Sequence, residues 1–244
     1  MIKGLTLLST LVRQKVNSAK TSGHCVACLD SHAINGLCAG CREDLPVNRW
    51  HCRACALPLA IPSLDLMCGE CIRTAPPFSR TVAPWRYQYP VDAMIGRYKY
   101  RGQRKFARPL LADLSELLDQ YLSAHPERKP ELIIPAPMHA KRRRQRGFNQ
   151  ADEIAEALSR RLNIPWCARS VQRSRHARPQ RELSREERLA NLAGAFTIAG
   201  TVPRRVAIVD DVITTGATVR ALTETLLDAG VRDVQVWALA RTPG

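Results

Sequence analysis

No apolar run in the sequence approaches the roughly 20 residues that a membrane-spanning helix needs. No internal repeat appears beyond a set of cysteine pairs, which leaves out solenoids and propellers. No Ser–His–Asp or Cys–His grouping marks a nucleophilic hydrolase. Acidic residues are scarce: 22 Asp and Glu stand against 37 Lys and Arg, a formal net charge of +15. That imbalance points to a polyanionic partner or substrate, such as a nucleic acid or a pyrophosphate compound. The apolar stretch within Met1–Val12 lacks a convincing signal-peptide cleavage site and reads as a mobile arm or short amphipathic helix. The expected compartment is therefore the cytoplasm. There, cysteines serve as thiols or metal ligands and not as disulfides.

What the chain does have is 244 residues, enough for one medium domain and a small one. Eight of its nine cysteines lie between residues 25 and 71, all in Cys-x-x-Cys pairs: Cys25/Cys28, Cys38/Cys41, Cys52/Cys55 and Cys68/Cys71. A two-residue spacer lets both thiolates face one tetrahedral ion, and eight ligands suffice for two Zn2+ sites. The spacers contain Gly and Pro and little apolar periodicity, so such a module needs metal to fold. An iron–sulfur cluster is the rival, but no ferredoxin-type spacing is present. Neighbouring pairs could share an ion, or the pairs could interleave. The serial arrangement is the expectation, with Cys25, Cys28, Cys38 and Cys41 around one ion and Cys52, Cys55, Cys68 and Cys71 around the other. All-cysteine sites are closed, so the role is structural. His24, His32 and His51 read as surface residues, and Cys167 as a packed small apolar residue.

Beyond Ala75-Pro76-Pro77-Phe78, which reads as a linker, helical and strand patterns alternate. Arg80–Tyr89 reads as an edge strand or hairpin. Val91–Tyr98 and Phe106–Leu122 read as helices, Leu132–Pro135 as a buried strand, and Asn149–Leu162 as a helix. Pro165–Val171 reads as a further strand. Between them Lys141–Gln150 reads as a cationic loop leading into a helix, a placement suited to pyrophosphate. Gln172–Asn191 is a long polar stretch with the composition of a lid. From His139 to Arg188 there are 14 Lys and Arg against six Asp and Glu, a surplus of +8 that concentrates charge on one region.

The stretch Val206–Thr218 carries the most chemistry. Four small apolar residues form a buried-strand pattern, Asp210 and Asp211 follow, and Thr214, Thr215, Gly216, Ala217 and Thr218 lead into a helix. A helix N-terminus with nearby hydroxyls suits a phosphate, and ionised carboxylates accept hydrogen bonds from vicinal hydroxyls. The combination describes a pocket for a sugar phosphate at the carboxyl edge of an α/β sheet. An ordinary strand–turn–helix would not need the Asp pair, the Thr pair and the Gly together. The stretch resembles the PRPP-binding motif of type I phosphoribosyltransferases (PRPP is 5-phosphoribosyl 1-pyrophosphate). The resemblance implies that Asp210 and Asp211 hold the ribose hydroxyls and that Thr214–Thr218 cradle the 5′-phosphate. Ala217 stands where many members have Gly.

A wider resemblance joins these pieces. The cysteine pairs, Lys99-Tyr100-Arg101-Gly102, Pro135–His139, Arg146–Gln150, Pro179-Gln180 with Leu183, Arg188 and Asn191, and the Asp210–Thr218 motif occur in the order of the ComF/GntX family. This resemblance implies a type I phosphoribosyltransferase-like α/β fold with a central, mostly parallel sheet, plus a small N-terminal zinc-ribbon module. The expected layout is an arm over 1–22, a double zinc ribbon over 23–75, and the phosphoribosyltransferase-like domain over 80–244. The family implies cytoplasmic proteins linked to natural competence and the use of incoming DNA, acting alongside other competence proteins. Displacing pyrophosphate from ribose C1 calls for positioning and leaving-group stabilisation, with Mg2+ bridging the oxygens. Ala136, Pro137, Met138 and His139 are candidates for the pyrophosphate side with Arg146, and Lys99, Arg175 and Arg188 for closing over it. Two alternatives keep the pocket without transfer: an accessory protein that handles single-stranded DNA, and an adaptor that docks through its zinc module.

Overall fold

The computed structural model describes residues 23–62, 66–173 and 194–244. Its centre is a parallel five-stranded sheet. β1 (Arg80–Val82) and β2 (Trp85–Arg86) pair along one side of β7 (Asp233–Arg241); β6 (Arg205–Ile213) pairs along the other, and β3 (Leu132–Pro135) lies beyond β6. The last strand in the chain is thus interior, and eight of its nine residues are buried. Arg80–Tyr89 is an edge element but not a hairpin. Both of its short strands run parallel to β7, and the break falls at Pro84, which has no N–H for the ladder.

Helices cover both faces, as a parallel sheet of near-continuous apolar strands requires. On one face lie α4 (Ala107–Ala124) and α6 (Gln150–Leu162). Leu110, Leu114 and Leu118 of α4 and Ile154 and Leu158 of α6 meet Ile133, Ala207, Val209 and Trp237. On the other lies α7 (Ala217–Asp228), where Leu222 and Leu226 meet Ile134, Val206, Ile208 and Val236. Side chains of β6 therefore alternate between the two cores up to Val209. α3 (Val91–Arg101) ends at Gly102, whose φ of 62° gives the left-handed turn a helix C-terminus favours.

Two further expectations need correction. Lys141–Arg146 is not a loop: it falls in a short helix, α5 (Ala140–Arg146), which ends at Gly147 before Asn149 caps α6 by accepting from the Ala151 N–H. Pro165–Val171 is not a strand. Trp166 makes a single bridge to Ile133, and β4 begins only at Val171 (Val171–Arg173), antiparallel to β5 (Phe196–Ile198). Pro165 supplies a carbonyl there but no N–H, so the ladder cannot extend. Most of the polar stretch 172–191, including Arg175 and Arg188, lies outside the described residues, as does the arm over 1–22.

The cysteine-rich segment joins this core directly. α1 (Ala39–Glu43) and α2 (Gly69–Arg73) each start right after a cysteine. Val47 bridges Trp85 of β2, and Asn48 donates to the carbonyls of Ala56 and Ala83, tying the two parts at the sheet edge.

Candidate functional site: a sheet-edge pocket beside two four-cysteine clusters

β6 continues through the acidic pair, so the strand is longer than the apolar run Val206–Val209 that marks it in the sequence. Its side-chain alternation separates the two carboxylates. Asp210 lines a pocket with Thr214, Thr215, Gly216, Ala217 and Thr218 on the α7 side. Asp211 turns to the α3 side, where its carboxylate meets the Lys99 ammonium at 2.9 Å. The pocket is an open cleft, with about 390 Å3 of empty space when its solvent-filled mouth is included.

Gly216, at φ 78°, turns the chain from β6 into α7. It stands at the N-cap of α7 and has no side chain to satisfy the first-turn N–H groups, which lack intrahelical acceptors. Thr215 Oγ1 accepts from the Ala217 N–H at 3.3 Å. A helix terminus left open in this way, with threonine hydroxyls beside it, favours a bound anion. Burial pushes the Asp210 carboxyl up to about 7; Asp211 adds to the shift, and Lys99 opposes it. Asp210 therefore carries only part of a negative charge near neutrality, and a cation or a hydroxyl donor would recruit the ionised form.

A second polar wall lies around α3. Lys99 lies 5.8 Å from the Tyr87 ring, and Arg146 stacks over Tyr100 at 5.0 Å while donating to Gln150 Oε1. The buried Tyr98 hydroxyl donates to Glu153, whose carboxylate also pairs with Arg104. Ala136 is fixed by its N–H to the Val209 carbonyl and by Asn149, which donates to the Ala136 carbonyl. Pro137, Met138 and His139 follow it in the turn into α5. The structure thus gathers Asp210 with Thr214–Thr218 on one wall, and Asp211 with Lys99 on the other. Arg146 sits by Tyr100, next in the chain to Lys99.

The eight paired cysteines form the two serial groups expected: Cys25, Cys28, Cys38 and Cys41, and Cys52, Cys55, Cys68 and Cys71, the Sγ atoms of each within 4.8 Å of one another. All are free thiols. A tetrahedral ion with Zn–S bonds of about 2.3 Å sets its sulfurs ~3.8 Å apart. The Cys28–Cys38 and Cys55–Cys68 separations are 3.6 and 3.7 Å. Both groups therefore suit structural zinc. Burial opposes ionisation of Cys25, but backbone N–H groups of Cys28, Cys38 and Ala27 outweigh it and bring the thiol down to about 6. The same contest brings Cys52 down to about 7. Neither His32 nor His51 joins a group: His32 is exposed beside Asp30, and His51 Nδ1 contacts the Asn48 carbonyl.

No family model matches the chain. Competence protein F of Haemophilus influenzae is 37% identical over 223 residues, covering 89% of this chain and 96% of that protein. The chain belongs to the ComF/GntX family. A further relative, the DNA utilization protein YhgH of Salmonella typhimurium, is 34% identical over 228 residues, covering 86% of this chain and 98% of that one. Among solved structures, a hypoxanthine phosphoribosyltransferase from Staphylococcus aureus aligns with 53% of this chain and 61% of its own, at 13% identity and a TM-score of 0.36. This ComF/GntX chain also has site features that motif reading passed over. Arg241 at the end of β7, Arg220 on α7, Tyr87, and the Tyr98–Glu153–Arg104 set all stand at or near the two walls. For Arg241 a signal exists: one cation closes the otherwise apolar run Val236–Ala240.

Proposed function

We propose that this protein binds PRPP with Mg2+ in the sheet-edge pocket and acts in natural competence, in the use of DNA that has entered the cell. The observation that carries the reading is Asp210 facing an uncapped helix N-terminus across the Thr214–Thr218 loop. The names of the competence and DNA-utilization relatives support the cellular role. In this reading the loop N–H groups and threonine hydroxyls hold the 5′-phosphate, and Asp210 accepts from a ribose hydroxyl. Asp211 becomes the second acceptor when Lys99 leaves it for the pyrophosphate, joined there by Arg146 and the Ala136–His139 turn. Mg2+ would supply charge neutralisation between pyrophosphate and ribose oxygens. The eight cysteines would hold two structural Zn2+ ions, and eight free thiols fit a reducing cytoplasm. No helix among the described residues is long and apolar enough to cross a membrane.

The test is calorimetric titration with PRPP and Mg2+. Asp210→Ala combined with Asp211→Ala should abolish binding, and unchanged binding would overturn the reading. Release of pyrophosphate in the presence of nucleobase or amine acceptors separates transfer to an acceptor from recognition alone. A second reading, direct handling of single-stranded DNA, is favoured by the exposed Arg142, Arg143 and Arg144 on α5. Its signature is affinity that falls steeply with salt. No binding to an oligonucleotide at low salt would remove it and favour a protein partner.

A further inference from the structure

We propose that Arg241 is a positioning residue for the phosphate pocket, holding the loop against the second cysteine cluster so that the pocket depends on that cluster and not on the first. The inference rests on the PRPP reading of the pocket. Arg241 is the last residue of β7 and is 5% exposed. Its Nε donates to the Cys55 carbonyl at 3.2 Å. One terminal nitrogen donates to the carbonyls of Ile213 and Thr214, the residues that lead from β6 into the loop, and to the Thr242 carbonyl. One planar, permanently charged group thus ties the carbonyl of a cluster cysteine to the first carbonyls of the loop.

A second brace runs parallel to the first. Arg220, one turn into α7, meets Glu70 at 3.5 Å, and Glu70 lies between Cys68 and Cys71. Cys52, Cys55, Cys68 and Cys71 also share one apolar cluster with Ile213, Ala217 and Ala221. The first cluster packs into the core of the opposite face, with Val209 and Val212 of β6, and is tied to α4 by Arg42 to Asp113 and by Gly36 close to Pro109. No hydrogen bond among the described residues runs from it to the loop after β6. A metal at the second cluster fixes Cys55, Cys55 fixes the guanidinium, and the guanidinium fixes the two loop carbonyls. Without it the buried Ile213 carbonyl loses a charged donor where little water can replace it, and the Thr214 carbonyl loses its anchor to the cluster.

The first test uses the unmodified zinc-loaded protein. Graded chelation should strip the first, more exposed cluster before the second. PRPP affinity should stay within about two-fold while the first equivalent of zinc leaves, and drop by about ten-fold or more with the second. A drop that accompanies the first equivalent, or no drop with either, overturns the proposal. The second test is spectroscopic. In cobalt-loaded protein, PRPP with Mg2+ should shift the d–d bands of the thiolate-bound Co2+ in the wild type and not in Arg241→Gln or Arg241→Lys. Arg241→Lys keeps the charge but not the forked reach, which guards against a fold lost with the charge. Equal shifts in all three proteins, or none in a wild type that binds PRPP, defeat the proposal. Absence of PRPP binding to the wild type at all defeats the PRPP reading itself, and this inference with it.

Discussion

The two four-cysteine clusters have the same ligands in the same Cys-x-x-Cys pairs, yet they occupy different positions in the molecule. In the first, Cys25 is buried, Cys28 is exposed, and Cys38 and Cys41 are half-buried; in the second, all four are buried. The first packs into the core on the opposite face of the sheet, where Cys25 shares an apolar cluster with the buried α4 leucines and with Val209 and Val212 of β6, and Arg42 adds an ion pair to α4. The second shares a core with the strand and helix that frame the pocket, and Arg241 donates both to the Cys55 carbonyl of that cluster and to the Ile213 carbonyl at the end of the strand. Identical ligand chemistry therefore leads to different consequences. If Arg241 braces the loop as proposed, a metal at the second cluster would hold part of the site, whereas one at the first would act on the core of the opposite face.

The largest expected effect breaks that comparison at the ligands. Cys52→Ser should lose one zinc and lower the melting temperature well beyond Cys28→Ser, because its cluster is wholly buried in the core that frames the pocket. Cys28→Ser should lose one zinc and keep the sheet. Zinc content and circular-dichroism melts of the two variants check this, and equal losses of melting temperature would erase the distinction drawn here.

Next is Lys99→Met, which leaves Asp211 buried beside Asp210 without its cation. A cost of about 2–3 kcal/mol is expected above pH 7, shrinking in acid as Asp210 takes up its proton and no longer repels Asp211. Chemical denaturation at pH 8 and pH 5 reads it out, and a pH-independent loss would assign Lys99 a packing role instead.

The pH dependence of the pocket follows from Asp210. Its carboxyl is raised from the ordinary value to about 7 by burial first and by Asp211 second. For the free protein this group favours folding below its unfolded value near 4, and that contribution is lost as pH rises through 7. Ligands that need the carboxylate act in the opposite sense. PRPP should bind more tightly as pH rises toward 7, by at most about ten-fold per unit, and then level off. Calorimetry in buffers of different ionisation enthalpy should detect the released proton, and flat affinity from pH 5.5 to 8 would show that Asp210 does not engage the ligand.

The smallest effect is at the first cluster's tether. Arg42→Ala removes a partly exposed ion pair worth about 1 kcal/mol, or roughly 2–4 °C in melting temperature. PRPP affinity should not change. A parallel fall in affinity would mean that the first cluster also reaches the pocket.

Much of the fold was legible because it rests on local periodicity. Leu110, Leu114, Leu118 and Leu122 of α4 and the Ala151–Leu162 face of α6 are buried with the spacing they show in the chain, while Leu117 of the same helical pattern is exposed. The serial cysteine groups were legible for a similar reason, since short spacers limit which thiols can meet. The misreadings came from positions where neighbours decide. Lys141–Arg146 is polar throughout and carries no apolar stripe to mark a helix, yet it forms a helical turn between β3 and α6. Pro165–Ser170 makes only one bridge, Trp166 to Ile133, before pairing resumes at Val171.

The sequence by itself determined the inventory: two metal-ligating sets, a strand–loop–helix with two carboxylates, and an excess of cations. Those features depend on residue type and on separations of a few residues, which the chain displays directly. Only the tertiary structure decided that Asp210 and Asp211 face opposite walls, that Lys99 holds Asp211, and that Arg241 reaches Cys55 across 186 residues of chain. Each of these follows from strand pleat and packing between distant segments, and no local spacing in the chain encodes which distant carbonyl a buried guanidinium will find.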